Sequence, residues 1–166
     1  MIRTLNENDV TAFINIRSDA LKISPRSFGS DPVPLIEMDV QTTQKDLKAK
    51  NESNFILGYF EKEELAGMLG FIRHQRMKTR HSAFIWGVFV YPAHRGKGIG
   101  KALLTACLNK ASQLEGLEKV TLSVTHVSLA AMHLYEQMGF EPYARENNAL
   151  KWEGESLDEI FMEKRL

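Results

Sequence analysis

The sequence predicts a mixed α/β (α+β) fold with a parallel pair of strands at its centre. Three observations carry that expectation. Between residues 83 and 139, apolar runs and helical periodicity alternate as strand, helix, strand, helix, a crossover that normally joins parallel strands right-handedly. Before and after this stretch, paired extended segments flank short charged turns and read as antiparallel hairpins. The composition is 43% hydrophobic and 25% charged over 166 residues, and at this length roughly 70% of the unfolded surface can be buried without a disulfide or metal. A single domain over 1–166 is expected, with no internal repeat and no linker.

Ile2 to Leu5 suits a short strand, after which Asn8 or Asp9 offers an N-cap to a helix carrying Val10, Phe13, Ile14, Ala20 and Leu21 at helical spacing. Ser24-Pro25 ends that helix. From Ser24 to Glu37 the chain holds Pro25, Gly29, Pro32 and Pro34 without periodicity, which fits a binding lid or a tether. Asp39 is expected to cap a polar helix reaching about Lys50, with Val40 and Leu47 inward. Asn54 to Phe60 and Leu65 to His74 form a hairpin about Glu61 to Glu64. Ala83 to Val90, AFIWGVFV, lacks alternation and so reads as a strand covered on both faces. Ile99, Leu103, Ala106, Cys107, Ala111 and Leu114 then repeat at helical spacing until Gly116. Lys119 to Val124 is the next strand, and Ser128 to Met138 the next helix, with Ala131, Leu134, Tyr135 and Met138 on one face and Gly139 closing it. Phe140 to Leu166 contains two extended stretches about Glu153-Gly154-Glu155, a C-terminal hairpin.

The 21 Lys and Arg residues balance the 21 Asp and Glu, so no whole-molecule field would gather nucleic acid or anionic lipid. Arg73, Arg76, Lys78 and Arg80 lack interleaved aromatics and read as a solvated hairpin. The single cysteine, Cys107, cannot make an internal disulfide or a thiolate-rich zinc site, and no metal is expected. It falls on an apolar helix face and should be buried and inert; Trp86 and Trp152 should pack. No run approaches the ~18 apolar residues of a membrane span, and MIRTLNENDV lacks a signal pattern. A cytoplasmic protein without nucleic-acid or membrane partners is expected.

Between the apolar strand and the strong helix lies Arg95-Gly96-Lys97-Gly98-Ile99-Gly100-Lys101. Glycines let successive N–H groups converge, and the helix N-terminus adds partial positive charge, so the turn suits phosphate oxygens. The triphosphate P-loop fails because Ala102 follows Gly100-Lys101 and Arg95 stands where the first glycine belongs. GxGxxG fails in both registers, at Lys101 and at Leu103. What the turn does match is Arg or Gln, two residues, Gly, one residue, Gly or Ala, satisfied by Arg95, Gly98 and Gly100.

On these residues, VFVYPAHRGKGIGKALL (88–104) and the later LYEQMGF (134–140), the sequence resembles the GNAT family, the Gcn5-related N-acetyltransferases. The resemblance covers nearly the whole chain. It implies a mostly antiparallel sheet of six or seven strands, a central splayed parallel pair and about four flanking helices. It also implies acetyl-CoA as acyl donor, a primary amine of a small molecule or peptide as acceptor, and direct attack in a ternary complex. By the same resemblance, Val88, Phe89 and Val90 would pair with the pantetheine arm, and Arg95, Gly96, Lys97, Gly98, Ile99, Gly100 and Lys101 would hold the pyrophosphate. Tyr135 would be the general acid for the leaving sulfur.

Two departures mark this chain. Ser128 stands where many members carry an asparagine; a serine there could contact the cofactor or act as a helix cap. Phe84 aligns with a glutamate that many members place on the central strand. Replacement candidates for a base are His74, His81, His126 and Glu159. The absent glutamate also leaves open a non-catalytic sensor or structural subunit that binds CoA or acetyl-CoA. An exposed C-terminal strand could support a homodimer, and acceptor specificity is expected in the Ser24–Glu37 loop, the helix after it and the C-terminal hairpin.

Overall fold

A computed structural model describes residues 1–32 and 39–166. The part of the expected Ser24–Glu37 lid from residue 33 onward lies outside the described residues. Strands β1 (Ile2–Thr4), β2 (Asn54–Glu61), β3 (Glu64–Arg73), β4 (Ser82–Val90), β5 (Lys119–Thr125), β6 (Glu141–Trp152) and β7 (Glu155–Arg165) form one sheet in the order β1-β2-β3-β4-β5-β7-β6. Every neighbouring pair is antiparallel except β4 and β5. Four α-helices accompany it among the described residues: α1 (Val10–Ile23), α2 (Val40–Lys48), α3 (Ile99–Ala111) and α4 (Leu129–Gln137).

The sheet has a core on each face. Phe55, Leu57, Leu69 and Phe71 pack with Leu103, Leu104 and Cys107 of α3, whereas Ile56, Met68 and Phe60 pack with Ile16, Ala20 and Leu47 of α1 and α2. Adjacent residues such as Phe55 and Ile56 thus serve opposite cores, which is why β2 and β3 read as unbroken apolar runs. Phe55 and Phe71 stack across the strands at 4.7 Å between ring centroids.

In β4 the alternation changes phase. Ala83 and Ile85 belong to the α3 core, yet Phe89 belongs to the α1 core, and it is Val88 and Val90 that lie against the α3 side. Gly70 pairs with Trp86 and Met68 with Phe89, so β4 carries Gly87 and Val88 where β3 carries only Leu69. Gly87 has φ +61°, a left-handed conformation that favours glycine. This is a β-bulge, and an inserted residue sends every later side chain to the other face.

The bulge also ends the central pairing. Only Ser82–Lys119, Ala83–Val120 and Phe84–Thr121 pair β4 with β5. Beyond them, β5 stays paired with β7 out to Thr125–Glu159, while β4 follows β3 out to Val90–Gly67. The expected splay is therefore present, and the strand expected to be covered on both faces is only partly buried at Trp86, Gly87 and Val88.

Asp9, one of the two expected residues, is the N-cap of α1, though its side chain makes no capping hydrogen bond to that helix, and a 3-10 turn over Glu7–Asp9 precedes it. Asn6 caps that turn: its side chain accepts from the Asn8 N–H at 2.9 Å, and the Asp9 carboxylate accepts from the Asn6 N–H at 2.9 Å. Two Arg3 hydrogen bonds of 2.7 Å hold the Asp9 carboxyl below its ordinary pKa. Asp39 caps α2 as expected, accepting from Gln41 and Thr42. At the far end, β6 is an exposed edge strand interrupted by Pro142 and two register shifts, features that discourage pairing with another strand. No helix among the described residues is long and apolar enough to cross a membrane.

The Trp86 indole lies across Gly70, so closely that a Cβ built there would come within 2.1 Å of the ring. Gly70→Ala should therefore destabilise the fold by about 1–3 kcal/mol through overpacking. A lower denaturant midpoint with an unchanged slope, and altered tryptophan emission, are the expected readings.

Candidate active site

The splay opens a cleft of about 630 Å³. One wall is β4 from Phe84 to Val90; the other is Leu122 to Val124 of β5 with the start of α4 from Ser128 to Ala131. Ser24, Ser27, Phe28, Gly29 and Ser30, the described beginning of the expected lid, line it from above α1. An ion pair between Arg26 and Glu155 ties this loop to the C-terminal hairpin.

Below β4 the chain turns through Gly96 and Gly98, with φ of +76° and +77°. Glycine is needed at both for the backbone angle, since an added Cβ would meet no atom within 4 Å. Among the described residues, no backbone carbonyl accepts a hydrogen bond from the N–H groups of Gly96, Lys97, Gly98, Ile99, Gly100 or Lys101; the first such donor is Ala102, bonding to Gly98 at 2.9 Å. These groups, with the α3 dipole behind them, suit an anion with several oxygens. Gly100 also lets α3 approach α4, where Leu134 would lie 3.0 Å from a Cβ.

The flanking cations are unequal. Arg95 turns inward, donating from Nε to the Val90 carbonyl at 2.9 Å with its guanidinium 5.8 Å from the Phe89 ring. Lys97 Nζ stands 3.8 Å and His94 Nδ1 2.6 Å from Glu61 Oε2. Lys101 has no ion-pair partner among the described residues.

Tyr135 projects from α4 into the cleft, 6% exposed, with its ring edge-on to Phe140 at 6.1 Å. Burial raises its pKa above the ordinary tyrosine value, so the phenol stays protonated at neutral pH. Ser128 occupies the N-cap position of α4 without capping it; its hydroxyl donates to Ser27 Oγ at 2.8 Å and lies 2.9 Å from Thr125 Oγ1.

Of the four candidate bases, only Glu159 lines the cleft. It accepts from Ser123 Oγ at 2.8 Å, a diagonal cross-strand contact because Ser123 pairs with Phe161. His126 Nδ1 accepts from the Asp158 N–H at 3.1 Å, and His74 lies beside Arg73 and Arg80 at a separate depression. Phe84 does line the cleft and brings no ionisable group.

Two contributors were not anticipated. Trp86, expected only to pack, forms part of the cleft wall. Arg17 enters from α1 with its guanidinium 5.7 Å from both the Phe28 and Trp86 rings. The signal for Arg17 was in the sequence: it continues the stripe of Val10, Phe13, Ile14, Ala20 and Leu21, a charge at an apolar position.

Residues 15–140 match the model of the acetyltransferase (GNAT) family. A mycothiol acetyltransferase of Salinispora tropica is 30% identical over 114 residues, covering 65% of this chain and 37% of that protein; this chain thus spans well under half of that relative's length. An acetyltransferase structure of the GNAT family from Streptococcus pneumoniae superposes with a TM-score of 0.90 at 21% identity, covering 100% of this chain and 99% of that one. A Salmonella typhimurium structure with its cofactor acetyl-CoA superposes with a TM-score of 0.86 at 22% identity, covering 99% and 92%.

Cys107 takes no part in this cleft. It is fully buried against the sheet, and burial pushes its thiol up to about 12. A disulfide reagent such as Ellman's should leave the native protein unlabelled and react with one thiol per chain once guanidinium unfolds it. Prompt labelling of the native protein would contradict this placement.

Proposed function

Because this chain belongs to the acetyltransferase (GNAT) family, we propose that it transfers an acetyl group from acetyl-CoA to a primary amine of a small molecule or peptide, by direct attack in a ternary complex. The observation that carries this reading is the set of N–H groups from Gly96 to Lys101 without carbonyl partners among the described residues, set at one end of the opening between β4 and β5. Those groups, with Arg95, Lys97 and Lys101, would hold the two phosphates. The pantetheine arm would lie along Val88, Phe89 and Val90 in the manner of an added strand, with Ser128 on the facing wall.

In this reading the neutral amine nitrogen attacks the thioester carbon, and the carbonyl electron pair moves onto oxygen, where a backbone N–H near Val90 stabilises it. Collapse breaks the carbon–sulfur bond; sulfur gains a proton and the new amide nitrogen loses one. Tyr135 supplies the O–H facing sulfur. A thiol with a pKa of about 8.5 is more acidic than this phenol, so lasting transfer from Tyr135 alone would be uphill. Glu159 takes up the proton lost by nitrogen, directly or through water, and the return of a proton to the Tyr135 phenolate closes the balance. The proposal extends to a homodimer, by packing of the exposed side chains of β6, where Tyr143 is 55% exposed, rather than by pairing of its interrupted edge.

Calorimetric binding of acetyl-CoA and an assay for free CoA thiol test this reading together. The acceptor panel spans peptide N-termini, lysine side chains, polyamines, amino acids and amine-bearing antibiotics. Thiol release that depends on one class of amine is the expected result. Tight binding with no release across the panel would replace the enzyme by a CoA-binding sensor. Gly98→Ala, which meets no protein atom but forces a left-handed alanine, should weaken acetyl-CoA binding about tenfold.

Tyr135→Phe should lower kcat about a hundredfold while leaving acetyl-CoA affinity within about twofold, since the ring packing is retained. Unchanged turnover at saturating substrates would remove Tyr135 from the chemistry.

A further inference from the structure

The guanidinium of Arg17 occupies a setting that costs free energy with no evident structural return. One nitrogen, Nη1, is shielded from solvent and makes no hydrogen bond among the described residues, while Nη2 reaches only the Ser30 hydroxyl at 3.2 Å. None of the ion pairs among the described residues includes Arg17. Asp19, the nearest carboxylate along the helix, is engaged by the Tyr91 hydroxyl at 2.7 Å. The Phe28 and Trp86 rings offset part of the desolvation by cation–π attraction, but a half-buried cation with no counter-ion among the described residues remains unfavourable.

Its position narrows what the counter-ion would be. Nη1 lies 3.5 Å from where a Cβ of Gly87 would stand, so the charge sits at the bulge where β4 departs from β5. The phosphate-type site at Gly96 to Lys101 belongs to the other end of β4, and the pantetheine and thioester between them carry no charge. The donor therefore offers nothing anionic at Arg17. Across the opening, Glu159 is the one carboxylate lining the cleft among the described residues, giving the acceptor end one positive and one negative pole.

Resting on the acetyl-transfer reading above, we propose that Arg17 anchors a carboxylate on the acceptor, so that the acceptor is a small primary amine bearing a carboxylate, as in an α-amino acid. A guanidinium offers several N–H donors to a carboxylate, and the point charge of a lysine in its place would reproduce that attraction only in part. With its carboxylate on Arg17, such a molecule directs its amine toward Glu159 and the thioester. The Phe28 and Trp86 rings flank the anchor and favour an apolar side chain.

Matched pairs of acceptors test this: L-leucine, L-methionine and L-phenylalanine against their carboxamides. Each is titrated by calorimetry into the protein saturated with CoA and then assayed for thiol release with acetyl-CoA. The acids should bind roughly tenfold to a hundredfold more tightly than the amides, as hydrogen bonds to a buried charge require. In Arg17→Met that ratio should fall to about one, with partial recovery in Arg17→Lys. Acetyl-CoA affinity should stay unchanged, and the melting temperature of Arg17→Met should be unchanged or higher, because an uncompensated charge has been removed. Equal binding of acids and amides, no binding of either, discrimination that survives Arg17→Met, or weakened acetyl-CoA binding in that variant would each overturn the assignment. Arg17-dependent binding of the acids without acetylation would instead count against acetyl transfer while leaving the carboxylate anchor standing.

Discussion

The pairing of β4 with β5 stops at Phe84–Thr121, and the architecture around it is arranged so that this interruption is tolerated. Two strands that part inside a sheet leave N–H and C=O groups facing an opening, and such groups are costly unless water or a ligand meets them. The bulge at Gly87 turns the edge of β4 away, and α4 crosses beside the gap to bring Tyr135 to its wall.

The chain has no net charge, yet both ends of the cleft are polarised. At the β4–α3 turn, backbone N–H groups and the Lys101 ammonium supply positive potential, while Arg95 donates to the Val90 carbonyl and Lys97 lies near Glu61. At the other end a single guanidinium does so. Backbone donors are fixed by the fold and cost little to arrange, whereas a side-chain charge must be held in place; stacking between Phe28 and Trp86 serves that purpose for Arg17.

Much of this was legible in the sequence because it depends on local rules. Apolar runs bounded by turns located the strands, helical spacing located the helices, and Gly96 and Gly98 stood out in a glycine-rich turn whose N–H groups could converge, which the structure realises with a left-handed backbone at both. The bulge was not legible: in AFIWGVFV a glycine among apolar residues gives no sign that Val88 and Val90 exchange faces with Trp86. Asn6 was passed over because the turn it caps is a separate 3-10 segment before α1, whose own N-cap is Asp9. Trp86 read as a packing residue because its partner is Gly70, a contact made across strands rather than along one.

The carboxylate of the cleft illustrates the same limit from the chemical side. Position 84 lies on β4 where it borders the opening, and phenylalanine there lines the cleft without ionising. The chain nevertheless brings a carboxylate to the same space from β7, because β7 pairs with β5 over the full length that β4 abandons. Glu159 reaches the cleft only because that pairing continues beyond the splay, and Ser123, diagonal to it on β5, holds its oxygen at 2.8 Å. A base supplied by the neighbouring strand would approach the acceptor from the β5 side, opposite Arg17 on α1. In the proposed reading the acceptor's two polar ends would meet different layers of the fold, and a shift of either layer would change the reach demanded of the molecule between them.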